Sequence, residues 1–207
     1  MKIWLSLSVI YAGFFLWYTD MGGKLDSEEI EIFLEKLKKN NSSLDSQMYN
    51  SIKSFMEDDS GRQFLMVNNV DMNENPSDVD GANPGESAEQ LMNRYMEHMY
   101  SQLLKRACHP IFAGRVIHPS MDLVGIEGAE LWDQNALMRY KSRRAFMEIA
   151  THSDMQEKHK FKVAALEKTI AYPVETIIYL SDPRLILGLI LLIVGLALEL
   201  RSRSRNS

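Results

Sequence analysis

Two uncharged stretches bracket this chain, and between them apolar positions recur every three to four residues in some segments and every two in others. Residues 3–18 (IWLSLSVIYAGFFLWY) run without a charge between Lys2 and Asp20, with Trp4, Trp17 and Tyr18 near the two ends, where such rings favour a headgroup layer. Residues 185–198 (LILGLILLIVGLAL) are more uniformly apolar, opened by Asp182, Pro183 and Arg184 and followed by Arg201, Arg203 and Arg205. A soluble core helix of that uniformity needs enclosure on every side, and the remaining chain is too small to supply it. Both segments are therefore expected to be transmembrane helices, the first short against the usual span of about 20 residues. A cleaved signal peptide is the rival for the first segment. Retention is favoured because Trp17, Tyr18, Thr19 and Asp20 stand where a small-x-small cleavage site belongs. The three arginines predict a cytoplasmic C-terminus, and with Lys2 they put the central region in the periplasm, outside a bacterial inner membrane. Gly188 and Gly195, seven apart, share a helix face and mark a packing surface.

Between these ends, 26–39 (DSEEIEIFLEKLKK) opens with capping and acidic residues, closes with lysines, and sets Ile30, Phe33, Leu34 and Leu37 on one stripe. The polar cluster at 40–43 breaks that helix, and a second is predicted over 44–56 with Met48, Tyr49, Ile52, Phe55 and Met56 inward. Together they read as a helical neck. Residues 63–72 (QFLMVNNVDM) are strand-like, and the Pro, Gly, Asn and Asp content of 73–87 demands a loop. A helix follows over 87–106 with Leu91, Tyr95, Met99 and Leu103 at intervals of four; strands are predicted at 111–118 and 133–141, joined through Gly125 and Gly128. A helical stretch over 142–166, broken at 152–154, and a strand at 168–174 complete the pattern. Strand, helix, strand, strand, helix, strand is the split βαβ order, an antiparallel sheet with helices on one face. In so small a domain the economical cover for the other face is a second copy, which predicts a homodimer.

The stretches FLMVNNVDM, NRYMEHMYSQLLKRACHPIFAGRV and ALMRYKSRRAFMEIATHSDMQEKHKFKVAALEKTIAYPV resemble DUF1330-type proteins of the dimeric α/β-barrel superfamily. The match covers roughly 61–174, and its most telling parts are the run Arg139, Tyr140, Ser142, Arg143, Arg144 and the closing AALEKT. The resemblance implies a ferredoxin-like fold and a face-to-face dimer. It implies no reaction, because the superfamily holds haem-degrading and quinol-type monooxygenases beside small-molecule-binding modules. The two anchors depart from the usual soluble form of such domains.

Composition narrows the function classes. A net charge of -5 over 207 residues, with no basic run before the last seven, argues against a nucleic-acid partner. Cys108 is the only cysteine, so one chain can form neither a disulfide nor a cysteine-based zinc site. Arg115, His118, Arg139 and Tyr140 fall on two adjacent strands expected at the centre of the sheet, and a cationic lining there would suit a carboxylate or other anionic small ligand. Alternation turns Arg139 and Tyr140 to opposite faces, so at most one points inward. The plainer alternative pairs these side chains with carboxylates at a dimer rim. Asn68 and Asn69 interrupt an apolar strand, where a buried amide needs a partner; Asn68 joins the ligand set on that ground. Arg143 and Arg144 read as a solvated helix start, and His109 and His159 as structural or exposed. Met96, His98 and Met99 raise copper, but helical spacing turns His98 away from Met96. No zinc helix motif, phosphate loop or nucleophile elbow occurs.

The sequence thus predicts an α+β chain: an anchor at 1–20, a helical neck at 21–60, a ferredoxin-like βαββαβ domain at 61–175, and a transmembrane helix with a basic tail at 176–207. The expected role is a membrane-tethered module that binds a small ligand or a partner protein, with no cofactor and no catalytic set. An oxidoreductase of the same superfamily and an accessory subunit of a membrane complex are the alternatives.

Overall fold

The computed structural model describes residues 2–40 and 45–206 and divides the chain into two units, Gly22–Glu175 and a second made of the two terminal segments. In Gly22–Glu175, short polar side chains set the helix starts. Asp45 accepts from Met48 N at 2.7 Å and opens α3 (Ser46–Glu57). Ser87 and Gln90 exchange side-chain bonds with each other's backbone N–H and open α4 (Ala88–Lys105). Ser142 opens α5 (Arg143–Ala150), and His152, at the expected break, opens α6 (Ser153–Ala165). Before these lies α2 (Ser27–Asn40); the break at 41–43 and Leu44 fall outside the described residues.

Four strands, β1 (Phe64–Met72), β2 (His109–Arg115), β3 (Gln134–Tyr140) and β4 (Leu166–Val174), form one antiparallel sheet in the order β2-β3-β1-β4. The two central strands are β3 and β1, so β2 is an edge, not the central strand the sequence led us to expect. Its span also shifts two residues upstream: pairing begins at His109, and the last bond, Val116 N to Asp133 O at 2.8 Å, leaves His118 outside the strand. Pro110 explains both the bulge beside it and the edge position, since it has no N–H to give a second neighbour.

Alternation gives the sheet two different faces. Phe64, Met66, Met138 and Tyr140 turn toward the helices and join Leu91, Tyr95, Leu103, Ile149 and Phe161 in the main core. Leu65, Val67, Asn69, Leu137, Phe112, Ile170 and Tyr172 turn the other way, with Phe112 and Tyr172 about half exposed.

The neck helices are packed onto this domain. Phe33, Leu34, Leu37 and Met56 bury themselves against Met147 of α5, and Phe55 closes an aromatic box with Phe64, Tyr140 and Phe146, with ring centroids 5.0–5.9 Å apart. Such ring pairs contribute about 1 kcal/mol each beyond their burial. Two arginines complete the seam. Arg143 stacks over Phe55 at 4.7 Å, donates to Phe55 O, and lies 3.5 Å from Asp59 and 3.6 Å from Glu175. Arg144 grips both carboxylate oxygens of Glu29 at 2.6 and 2.9 Å and donates to Gly23 O and Lys24 O. The solvated helix start is thereby corrected: both side chains are largely buried, because carboxylates distant in sequence converge on them.

In the terminal unit, α1 (Lys2–Tyr18) and α7 (Pro183–Asn206) run antiparallel: Trp4 Nε1 donates to Glu199 at 3.1 Å at one end, and Arg184 donates to Thr19 Oγ1 at 3.1 Å at the other. The glycines do face the packing surface. A Cβ on Gly195 would stand 2.5 Å from the Trp4 ring, and one on Gly188 3.4 Å from Tyr11. Over Pro183–Arg205 α7 is long and apolar enough to cross a membrane, with a mean hydropathy of 2.2 in its most apolar 18 residues; α1 is apolar but has 17 residues.

Two outcomes are expected. Asp59 is 2% exposed and accepts from Leu25 N and Gly61 N at 2.9 Å each, so Asp59→Ala strands two N–H groups and a guanidinium at a cost of about 3 kcal/mol. Urea unfolding should show that loss, with Asp59→Asn milder. Gly195→Val should push Trp4 off Glu199, read as a change in emission from a chain whose Trp17 and Trp132 are replaced by Phe; an unaltered spectrum would refute the packing.

Candidate functional site

The structure does not gather the five sequence candidates into one site. Arg139 has no exposed surface: Nε and Nη2 donate to Gln63 Oε1 at 2.9 and 2.7 Å, and Nη1 donates to Ala107 O at 2.7 Å. Ala107 holds a left-handed φ of 53° in the turn from α4 to β2, so the arginine fastens a strained turn to the start of β1. A buried guanidinium so occupied is stitching. Tyr140 is on the opposite face, stacked on Phe64 at 5.3 Å, and burial pushes its hydroxyl well above the usual tyrosine range. Asn68 also faces the helices, and its amide donates to Met66 O at 3.0 Å. Arg115 ends β2 opposite Gln134 on the surface, and His118 lies in the following loop with Nδ1 2.9 Å from Pro119 O.

The remaining suspects are also accounted for locally. Asn135 donates to Asn69 across the helix-free face, and His109 Nδ1 sits 2.9 Å from Pro110 O. Met96 and Met99 pack against the main core, Tyr95 donating to Met99 Sδ at 3.9 Å, whereas His98 is exposed. Among the described residues, no three His, Cys, Asp or Glu side chains converge as a metal site.

One cluster went unread in the sequence. His159 and Lys162, three apart on α6, both meet Tyr95 of α4: the imidazole is edge-on to the phenol ring at 6.4 Å, and Lys162 Nζ is 5.8 Å from its centroid. Desolvation shifts all three toward their neutral forms, most for buried Tyr95, while His159 keeps an exposed edge on the groove. The tyrosine is pushed up to about 12, the lysine is lowered, and the histidine is lowered by burial and then by Lys162. Helical spacing was the available signal, but the run KHKFK conceals which of its lysines turns inward. Beside this cluster an open groove of about 830 Å³ runs between the 73–80 loop and α6, lined by Asn40, Asn73, Asp78, Asp80, His159 and Lys160. Its amides and charges can bind polar groups. Asp80 and Lys160, 3.5 Å apart, are already paired.

The fold has solved counterparts. RPA0582 of Rhodopseudomonas palustris, described as a protein of unknown function, aligns with a TM-score of 0.52 at 17% identity, covering 66% of this chain and 97% of its own. Its methylated form aligns with a TM-score of 0.53 at 16% identity, covering 69% and 98%. At such identity the likeness shows a shared small α+β fold. No family model and no curated protein matches the chain.

The Tyr95 cluster carries a pH dependence. A histidine whose folded pKa is lowered binds fewer protons folded than unfolded, so its contribution is complete above the unfolded value of about 6.5 and lost as pH falls below it. His159→Gln should therefore flatten the decline in melting temperature between about pH 7 and pH 5. Thermal unfolding across that range measures it.

Proposed function

We propose that this chain is a non-catalytic, membrane-tethered binding module: a two-helix hairpin anchors it in lipid, and a ferredoxin-like domain of the DUF1330 kind pairs with a second copy through its helix-free sheet face. The observation that carries the anchor is the outer surface of α7. With Gly188 and Gly195 set against α1, Leu189, Ile190, Ile193 and Leu196 remain about half exposed, a surface suited to acyl chains. At about 1.5 Å per residue α7 is roughly 36 Å long and α1 about 25 Å, enough for a thin or locally thinned bilayer. Arg201, Arg203 and Arg205 favour a cytoplasmic C-terminus, which puts the domain in the periplasm of a bacterial inner membrane.

The ferredoxin-like reading is supported by the strand order and by helices confined to one face. Dimerisation is supported by what the other face displays. Phe112, Leu137, Val67 and Tyr172 form an apolar row across all four strands, and a two-fold axis would lay such a row on its own copy. Continuing the surface is the 116–133 loop, tied to β4 by Lys168 Nζ donating to Gly128 O at 2.6 Å and bearing exposed Ile117, Val124 and Leu131. The proposal is for binding because Asn68, Arg139 and Tyr140 are spent on the fold, Arg115 and His118 stand apart from them on the surface, and the partner face on offer is apolar.

The full chain should sediment with membranes, resist alkaline carbonate and enter solution only with detergent. In detergent it should weigh as a dimer, and Phe112→Lys with Tyr172→Lys should give a monomer of unchanged circular dichroism. Recovery from the aqueous fraction defeats the anchor; a wild-type monomer defeats the pairing.

A further inference from the structure

The stretch between β4 and α7 is unusual for a connection in water. Ile177, Ile178 and Leu180 are 98%, 78% and 79% exposed, and in the same unit Met21 and Trp17, beyond and at the end of α1, are 69% and 50% exposed. Three branched aliphatic side chains presented this fully within four residues belong to a surface that another phase covers. The polar groups beside them are closed off. Arg184 and Asp182 form a two-point pair at 2.6 and 3.0 Å, the guanidinium donates to Thr19, and its plane lies over Tyr18 and Phe15 at 5.5 and 6.0 Å. A charge pair satisfied in this way needs little water, so it tolerates the depth of the lipid headgroups.

We propose that residues 176–181 are an interfacial collar, lying in the headgroup layer of a phospholipid bilayer with Ile177, Ile178 and Leu180 inserted at the acyl boundary and the Asp182–Arg184 pair at the polar plane where α7 begins. This rests on the membrane reading given above. The stretch 176–182 (TIIYLSD) contains an acid and no Lys or Arg, so insertion is driven by apolar burial and is independent of anionic lipid. Trp17, Tyr18 and Tyr179 supply the rings that favour this layer.

The test is a depth measurement on the full chain with Cys108→Ser, reconstituted once in phosphatidylcholine vesicles and once with phosphatidylglycerol added. Nitroxides are attached singly at Ile178→Cys, Leu180→Cys, Leu192→Cys and Glu127→Cys, and their collision rates with oxygen and with an aqueous nickel chelate are compared. Expected at 178 and 180 is an oxygen-to-nickel ratio several-fold above that at 127, below that at 192, and equal in the two vesicles. Ratios at 178 and 180 matching 127 while 192 stays lipid-buried would overturn the collar and leave the anchor standing. An aqueous ratio at 192 as well would overturn the anchor itself. Exclusion of both reagents at 178 would mean that protein covers the segment, and a ratio that rises only with phosphatidylglycerol would mean charge-driven contact; either result also overturns the collar.

Discussion

The assembly of the larger unit turns on a buried charge pair. Asp59 and Arg143 are both withdrawn from water, and each is useful only because the other and several backbone groups are in place. Asp59 holds Leu25 N and Gly61 N, which ties the chain before α2 to the turn before β1. Arg143 adds α3 through Phe55 and the end of β4 through Glu175. The next residue, Arg144, holds Glu29 and draws its carboxyl below the usual range. Two cations in the first turn of α5 oppose the helix dipole, and the convergent carboxylates offset that cost. Removal of any one partner therefore disturbs more than its own contact.

Features set by near neighbours were readable from sequence. The helix start at Ser87, the break at His152 and the strand over 63–72 each depend on residues a few positions apart, and the structure has them where the pattern led. Even the partial mismatch at β2 has a local cause in Pro110. The stripes on α2 and α3 announced that something would be covered, but not what: Met147 and Phe146 lie on the far side of the domain in sequence. The same limit hid the seam. Nothing near Arg143 and Arg144 points to Asp59 or Glu29, so a local reading left them in solvent.

The candidate site was legible to a lesser degree, for a related reason. Alternation separates Arg139 from Tyr140, as the structure does, yet it carries no information on whether a turn such as Ala107 will settle over a charged strand residue. Polar residues in a small sheet serve two competing needs, recognition and satisfaction of buried backbone, and a short chain with long connections meets the second need first. Left for contact with other molecules are the polar groove beside α6 and two apolar surfaces, the row through Phe112 and Tyr172 and the outer faces of the terminal helices.

The antiparallel partnership of α1 and α7 imposes an order of events on biogenesis. The two helices stand at opposite ends of the polypeptide, so at about 5–20 residues per second translation reaches the second some 10–30 s after the first. Throughout that delay the side of α1 that will later meet Gly188 and Gly195, with its Trp4 and Tyr11 rings, has no mate. Whatever meets the nascent helix in the meantime must accept these rings in place of α7, with residues 19–182 still to be made before the two can clasp.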